Sequence, residues 1–142
     1  QGVGPDHPFS GEKLSAVMAF YKVADIHEAV ALTNAIQEYQ GMGHSCGIYS
    51  NSDENIITLA SGTKTSSVMV NQPQAPSNSG NLWNGMRQTF SLGCGSWGGN
   101  STNENINWKH LVNITWVSKP LAQAKTLPSD EELFGDVIGK LG

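Results

Sequence analysis

Four glycines fall within seven residues, Gly93, Gly95, Gly98 and Gly99, in the run 92–101 that reads LGCGSWGGNS and encloses a cysteine and a tryptophan. Glycine lets a backbone take positive φ and approach a ligand closely. The run has neither the lysine and Ser/Thr of a P-loop nor the GxGxxG spacing of a dinucleotide loop, so neither phosphate cradle is indicated. Two uses remain: one wall of a ligand cleft, or a tight structural turn around a buried Trp97. Cys94, between Gly93 and Gly95, is a nucleophile only if backbone donors converge on its sulfur to stabilise the thiolate. Otherwise it is an inert thiol.

His44 lies between Gly43 and Ser45 at the start of a short β-rich run, from which an imidazole can face a cleft at a strand edge. A capped, structural histidine is the competing reading. Glu12 stands in a polar turn where a carboxylate can accept hydrogen bonds from sugar hydroxyls, or simply remain solvated. Asn71 and Gln72 end a second β-rich run, and ligands of open α/β sheets sit beyond the carboxyl ends of strands. Cys46, inside its apolar run, reads as packing, His7 and His27 as surface residues, and His110 beside Lys109 as a packing or capping residue.

These residues are positioned by an alternation of elements. Residues 16–23 (AVMAFYKV) read as a strand covered on both faces, after a Gly/Pro-punctuated lead-in. Asp25 with Glu28 three positions on starts a helix whose apolar residues Ile26, Ala29, Val30 and Ile36 keep helical spacing, and Gly41 stops it. Residues 46–50 form a second strand, Ser52 and Asp53 start a second helix that Gly62 closes, and residues 67–71 form a third strand. Strand, helix, strand at crossover spacing predicts a parallel α/β layer. Residues 72–89, rich in Pro, Ser, Asn and Gly, are a loop long enough to be functional. A late strand is expected over 111–118 (LVNITWVS), and Ser129 with Glu132 caps a last helix from Glu131 to about Leu141.

With 142 residues, 38% of them hydrophobic, the chain can close a core. A formal charge of −4 and eight scattered Lys and Arg give no basic stripe for nucleic acid. No run of 18 apolar residues suggests a membrane span. Two cysteines without CxxC or Cys/His spacing suggest neither a metal site nor a disulfide framework, and a cytoplasmic setting is the expectation.

Five stretches, in order, carry a resemblance covering residues 8–113: GEKLSAV (11–17), GMGHSCGIY (41–49), VMVNQP (68–73), LGCGSWGGNS (92–101) and ENINWKHLVN (104–113). Together they resemble the CoA-acylating aldehyde dehydrogenases, which include acetaldehyde, succinate-semialdehyde and sulfoacetaldehyde dehydrogenases. GCGSWGGNS followed by KHLVN is the most specific part. The resemblance implies an α/β, three-layer catalytic-domain portion with a largely parallel sheet, a long Gly/Ser/Asn-rich loop and a C-terminal oligomerisation strand, with residues 1–105 in the catalytic domain and 106–142 forming the oligomerisation strand and last helix. It also implies NAD or NADP as cofactor, coenzyme A as co-substrate, a small aldehyde as substrate and a homo-oligomer. Glu12 stands where the family's glutamate holds the nicotinamide ribose. His44 and Cys94 match a histidine and second cysteine lining the catalytic cleft, in supporting roles, and Gly93, Gly95, Trp97 and Asn71 are expected near the cofactor. Ala16 departs from the proline usual after the EKLS turn. No segment resembles the family's nucleophile loop, dinucleotide-binding domain or oxyanion asparagine, so the expectation is a C-terminal fragment of a longer parent, inactive alone. Two other readings stand beside it: a non-catalytic binding or assembly module of the same fold, and a small thiol enzyme using Cys94 and His44.

Overall fold

Asp25 opens the first helix, α1 (Ile26–Tyr39). Its carboxylate accepts the backbone N–H of Glu28 at 2.9 Å, and the Glu28 carboxylate accepts the N–H of Ala24 at 2.6 Å, so side chains satisfy donors on both sides of the helix start. Gly41, at φ +93°, turns the chain out of the helix, and strand β1 (Gly43–Ile48) follows. The computed structural model from which these positions are taken describes residues 2–138. Helix α2 (Asp53–Gly62) starts on Ser52, whose hydroxyl accepts the Asn55 N–H at 3.3 Å, with Asp53 and Glu54 in the first turn where the helix dipole favours acids. Strand β2 (Thr65–Val70) then pairs with β1 in parallel, Gly43 opposite Thr65, Cys46 opposite Val68 and Ile48 opposite Val70. The expected parallel α/β unit is therefore present, and α2 is its crossover.

The two helices pack through a glycine and an asparagine. A Cβ at Gly62 would lie 2.7 Å from Val30 Cγ1, so the end of α2 sits directly on α1. Asn34 of α1 holds it there, donating to the Gly62 carbonyl at 2.8 Å and accepting the Lys64 N–H at 2.9 Å. Leu59 of α2 and Met69 of β2 are the buried apolar side chains among the described residues. The core thus lies between α2 and the sheet. Within the 72–89 loop, a short helix α3 (Gln74–Asn78) forms and buries Ser77 and Asn78.

Two expected strands are absent from the described residues. Residues 16–23 carry no ladder, and Val17, Met18 and Phe20 are 62%, 83% and 85% exposed. Residues 111–118 likewise carry none; a 3-10 turn at Trp108–His110 precedes them, and Ile114, Trp116 and Val117 are exposed. β-propensity supplies side chains that suit a pleated surface, but a strand is held by hydrogen bonds to a neighbour, and no described segment forms a ladder with either run. The run expected to be the C-terminal oligomerisation strand is, among the described residues, unpaired and exposed.

By its contacts the chain divides into Gln1–Val112 and Asn113–Gly142. The second unit holds α4 (Asp130–Ile138), begun by a reciprocal box: the Ser129 hydroxyl accepts the Glu132 N–H at 3.2 Å, and the Glu132 carboxylate accepts the Ser129 N–H at 2.8 Å. The expected end of this helix near Leu141 lies outside the described residues. Leu133, Phe134 and Val137 of α4 are about half exposed.

The cap on α1 is testable. Asp25→Ala should lower unfolding free energy by about 1 kcal/mol, whereas Asp25→Asn should leave it nearly unchanged because asparagine caps as well as aspartate. Urea denaturation midpoints at constant slope read both, and equal losses in the two variants would remove the cap from the account.

Candidate active-site cleft

The sheet presents the first halves of its two strands to an open cleft of about 370 Å³, lined by His44 of β1, Ser66 and Ser67 of β2, Asn78 at the end of α3, Gly93 of the glycine-rich loop and Asn103 after it. The loop forms a 3-10 turn at Ser96–Gly98, entered through Gly95 at φ +58° and left through Gly99 at φ +83°. Gly98 N–H donates to the Cys94 carbonyl at 3.1 Å, and Asn100 N–H to the Gly95 carbonyl at 2.8 Å. Asn103 Oδ1 accepts the Ser96 N–H at 2.6 Å, tying the loop to the segment that follows.

Close approach explains these glycines. A side chain at Gly43 would strike the Cys94 carbonyl, one at Gly95 would strike Ser66 Oγ and Asn103 Oδ1, and one at Gly98 would strike Cys94 Cβ and the Met42 carbonyl. Backbone therefore packs on backbone where the loop meets the strands. Ser66 adds to the joint by donating its hydroxyl to the Gly43 carbonyl at 2.5 Å. The turn does not enclose Trp97, whose side chain is 53% exposed, which disfavours the alternative of a structural turn around a buried indole.

The expected site residues separate into two groups. His44 and Gly93 line the cleft. Cys94 and Gly95 belong to the same corner through their contacts with Gly43 and Ser66, without being among the cleft-lining residues. No hydrogen bond joins Cys94 to His44 among the described residues: the ring Nδ1 of His44 faces Ser45 Oγ at 3.0 Å and Asn78 Nδ2 at 3.5 Å instead. A thiol–imidazole pair, the requirement of the thiol-enzyme reading, is not assembled. Glu12 is exposed beside the end of α1, its N–H donating to Gln40 Oε1 at 2.9 Å, away from the cleft lining. Asn71, at φ +53°, spends its amide on Ser50, accepting the backbone N–H at 2.9 Å and donating to the carbonyl at 2.8 Å, and so closes the carboxyl ends of β1 and β2.

Asn78, Ser66, Ser67 and Asn103 were not singled out from sequence. Asn78 lies in the segment expected to be functional, but nothing in its neighbours marks it, because the contact with His44 spans 34 positions. The cleft wall is mostly hydroxyl and amide. Its acid, Glu104, contacts Lys109 closely, and the hydrogen bond and charge of that lysine hold the Glu104 carboxyl below its ordinary value, with His110 and Arg87 adding smaller attraction. A wall of this kind offers donors and acceptors to uncharged polar groups such as carbonyls, carboxamides and sugar hydroxyls. Among the described residues, no group of three His, Cys, Asp or Glu side chains converges to hold a metal, and no helix is long and apolar enough to cross a membrane.

Comparison with known proteins decides the relationship. The sulfoacetaldehyde dehydrogenase of an Acholeplasma species is 48% identical over 130 residues, which is 92% of this chain and 26% of that protein. The acylating sulfoacetaldehyde dehydrogenase of Bilophila wadsworthia is 40% identical over 134 residues, 94% of this chain and 28% of that protein. The crystal structure of an acetylating aldehyde dehydrogenase from Geobacillus thermoglucosidasius matches with a TM-score of 0.78 at 31% identity, over 89% of this chain and 28% of that one. This chain belongs to the acylating aldehyde dehydrogenase family. It spans about a quarter of the length of these relatives. No family model matches it. The resemblance drawn from GCGSWGGNS and KHLVN is therefore correct at the level of the family, and so is the α/β class. In this acylating aldehyde dehydrogenase segment, the most recognisable motif is also the one packed hardest against the sheet.

Two outcomes follow from this geometry. Gly41→Ala, where φ is +93° but no atom lies within 4 Å of the new Cβ, should cost only the backbone strain of about 1–2 kcal/mol. Gly43→Ala, with similar φ, adds the collision with the Cys94 carbonyl and should destabilise clearly more; parity of the two in urea melts would contradict the close-packed joint. For Glu104, a carboxyl whose folded pKa lies below its ordinary value of 4.5 stabilises the fold above that value and loses the effect as pH falls through the lower, folded one. Glu104→Gln should therefore flatten the acid side of the stability profile as pH falls below the ordinary carboxyl value of 4.5. Roughly 1 M salt should shrink the difference, and a profile unchanged by the substitution would count against the Lys109 contact.

Proposed function

We propose that this chain is the C-terminal part of the catalytic domain of an NAD(P)-dependent, CoA-acylating aldehyde dehydrogenase, catalysing aldehyde + CoA + NAD(P)+ to acyl-CoA + NAD(P)H + H+ in the assembled parent. The carrying observation is the cleft itself: a wall of glycine backbone, hydroxyls and amides with His44 set into it, and no thiol–imidazole pair. Residues 1–105 supply that wall. Residues 106–142 form the oligomerising segment and last helix, in keeping with the exposed apolar run Ile114, Trp116 and Val117, which offers surface to a neighbouring chain.

The division of labour follows from the side chains. NAD(P) supplies the hydride acceptor and coenzyme A the thiol that carries the acyl group away. The attacking cysteine comes from a preceding part of the parent, because Cys94 is placed to shape the joint and not to meet a base. Asn78 and Asn103 fit the uncharged carboxamide or sugar end of the cofactor, and Gly93 leaves room for its approach. Glu12, Gly95, Trp97 and Asn71 contribute by holding the surrounding backbone, or reach the cofactor only when the rest of the parent is present. The acidic Glu104 at the wall is ill suited to a diphosphate, so the charged part of either ligand lies elsewhere. Two free thiols, Cys46 and Cys94, suit a reducing cytoplasm. The named relatives differ in aldehyde, one acting on sulfoacetaldehyde and another described as acetylating, and the substrate of this chain's parent is a small aldehyde of that range.

The test uses the chain alone. Purified protein mixed with NAD+ or NADP+, coenzyme A and either acetaldehyde or sulfoacetaldehyde should produce no NAD(P)H absorbance. Sustained turnover would overturn the proposal and return Cys94 to the role of nucleophile.

A further inference from the structure

Four polar contacts around His44 and Ser45 bear on where the ring proton of His44 sits. Gln74 Nε2, on the first turn of α3, lies 2.9 Å from the Ser45 carbonyl oxygen and 2.9 Å from Ser45 Oγ. An amide nitrogen only donates, so Ser45 Oγ accepts from Gln74. The hydroxyl also has one hydrogen to give, and among the described residues the acceptor within its reach is His44 Nδ1 at 3.0 Å. Asn78 Nδ2, the second group facing Nδ1, also presents hydrogens, at 3.5 Å. A nitrogen faced by two donors is an acceptor. Nε2 makes no hydrogen bond to any described residue and is not among the buried unpartnered atoms, so it is left free on a residue that lines the cleft.

We propose that Gln74 and Ser45 are positioning residues that hold the neutral His44 ring with its proton on Nε2, so that the ring presents a hydrogen-bond donor, and not a base, to a carbonyl oxygen entering the cleft. The tautomer stands on the network alone. Its use on an aldehyde or thioester oxygen rests on the acyl-transfer reading above. A donor aimed at such an oxygen stabilises negative charge that develops there without moving a proton in the resting state. Asn78, anchored by accepting the Asn105 side-chain amide on its own carbonyl at 3.1 Å, keeps the opposite side of Nδ1 occupied.

The chain labelled with 15N-histidine reports the tautomer directly through long-range nitrogen–proton couplings, the His44 signals being assigned by their loss in His44→Gln. In the unaltered chain, above the titration of the ring, His44 should show the Nε2–H pattern; an Nδ1–H pattern overturns the proposal without recourse to any variant. Gln74→Glu should invert it: the carboxylate cannot donate, the Ser45 hydroxyl turns to it, and the Oγ lone pair then accepts from Nδ1–H, making that tautomer dominant. Ser45→Ala should give a mixture and Ser45→Thr should restore the Nε2–H form. An unchanged pattern in folded Gln74→Glu and Ser45→Ala, judged by undispersed or dispersed amide spectra, overturns the relay. These results are independent of turnover: the tautomer can fail while the acyl-transfer reading stands, and turnover by the isolated chain would defeat that reading while leaving the tautomer intact.

Discussion

The arrangement depends on one contact, the seating of a glycine-rich turn against the amino ends of two parallel strands with no Cβ between them. Interiors are packed so closely that a single methyl is felt, and here three positions, Gly43, Gly95 and Gly98, would each drive a methyl into a neighbouring atom. The contact fixes the distance between β1 and the loop, and with it the width of the cleft corner. It also disposes of Cys94, whose backbone carbonyl and Cβ are the surfaces that Gly43 and Gly98 accommodate. Cys94 is thereby part of the packing, and His44 is held by hydrogen bonds that the loop does not supply.

How much of this was legible depended on whether a signal was local. The caps at Asp25, Ser52 and Ser129 were read correctly because a cap is satisfied within three or four residues. The β1–α2–β2 unit was legible for a related reason: two short β-rich runs flank a helix started at Ser52 and closed at Gly62, and the crossover length leaves parallel pairing as the outcome. The runs at 16–23 and 111–118 have the composition of strands, yet composition states only that a segment suits a ladder. Whether one forms is decided by a second segment, and for both runs that segment is not among the described residues. The cleft was half legible for the same reason. His44 stands out between Gly43 and Ser45, whereas Asn78 reaches it from 34 positions away and Gln74 reaches Ser45 from 29, through an α3 whose five residues carry no periodic pattern.

Asn71 illustrates how a local demand can occupy a residue that a general rule marks for a ligand. Ligands of open α/β sheets gather beyond the carboxyl ends of strands, and Asn71 stands there. In this structure its amide replaces a ladder bond to Ser50, a local demand that uses both its donor and its acceptor, while the cleft opens beside the first halves of the strands. Left-handed backbone at a non-glycine residue is tolerated best by asparagine, so the same residue type that could have met a ligand is the one the turn requires.

Burial gives the last step. A chain of 142 residues with 38% hydrophobic content buries Leu59 and Met69 deeply, yet leaves Phe20, Trp116 and Leu82 between 85% and 95% exposed. Each large apolar side chain left in water forgoes roughly 1.5–3 kcal/mol of burial. Sequences that retain many such residues do so where another surface covers them. The relatives, about four times longer than the matched segment, are proteins in which such a surface can exist. The α/β unit and its glycine joint are held by contacts within the chain, whereas the exposed apolar runs have meaning only against something else. That asymmetry is in keeping with the proposed cleft wall, close-packed where backbone meets backbone.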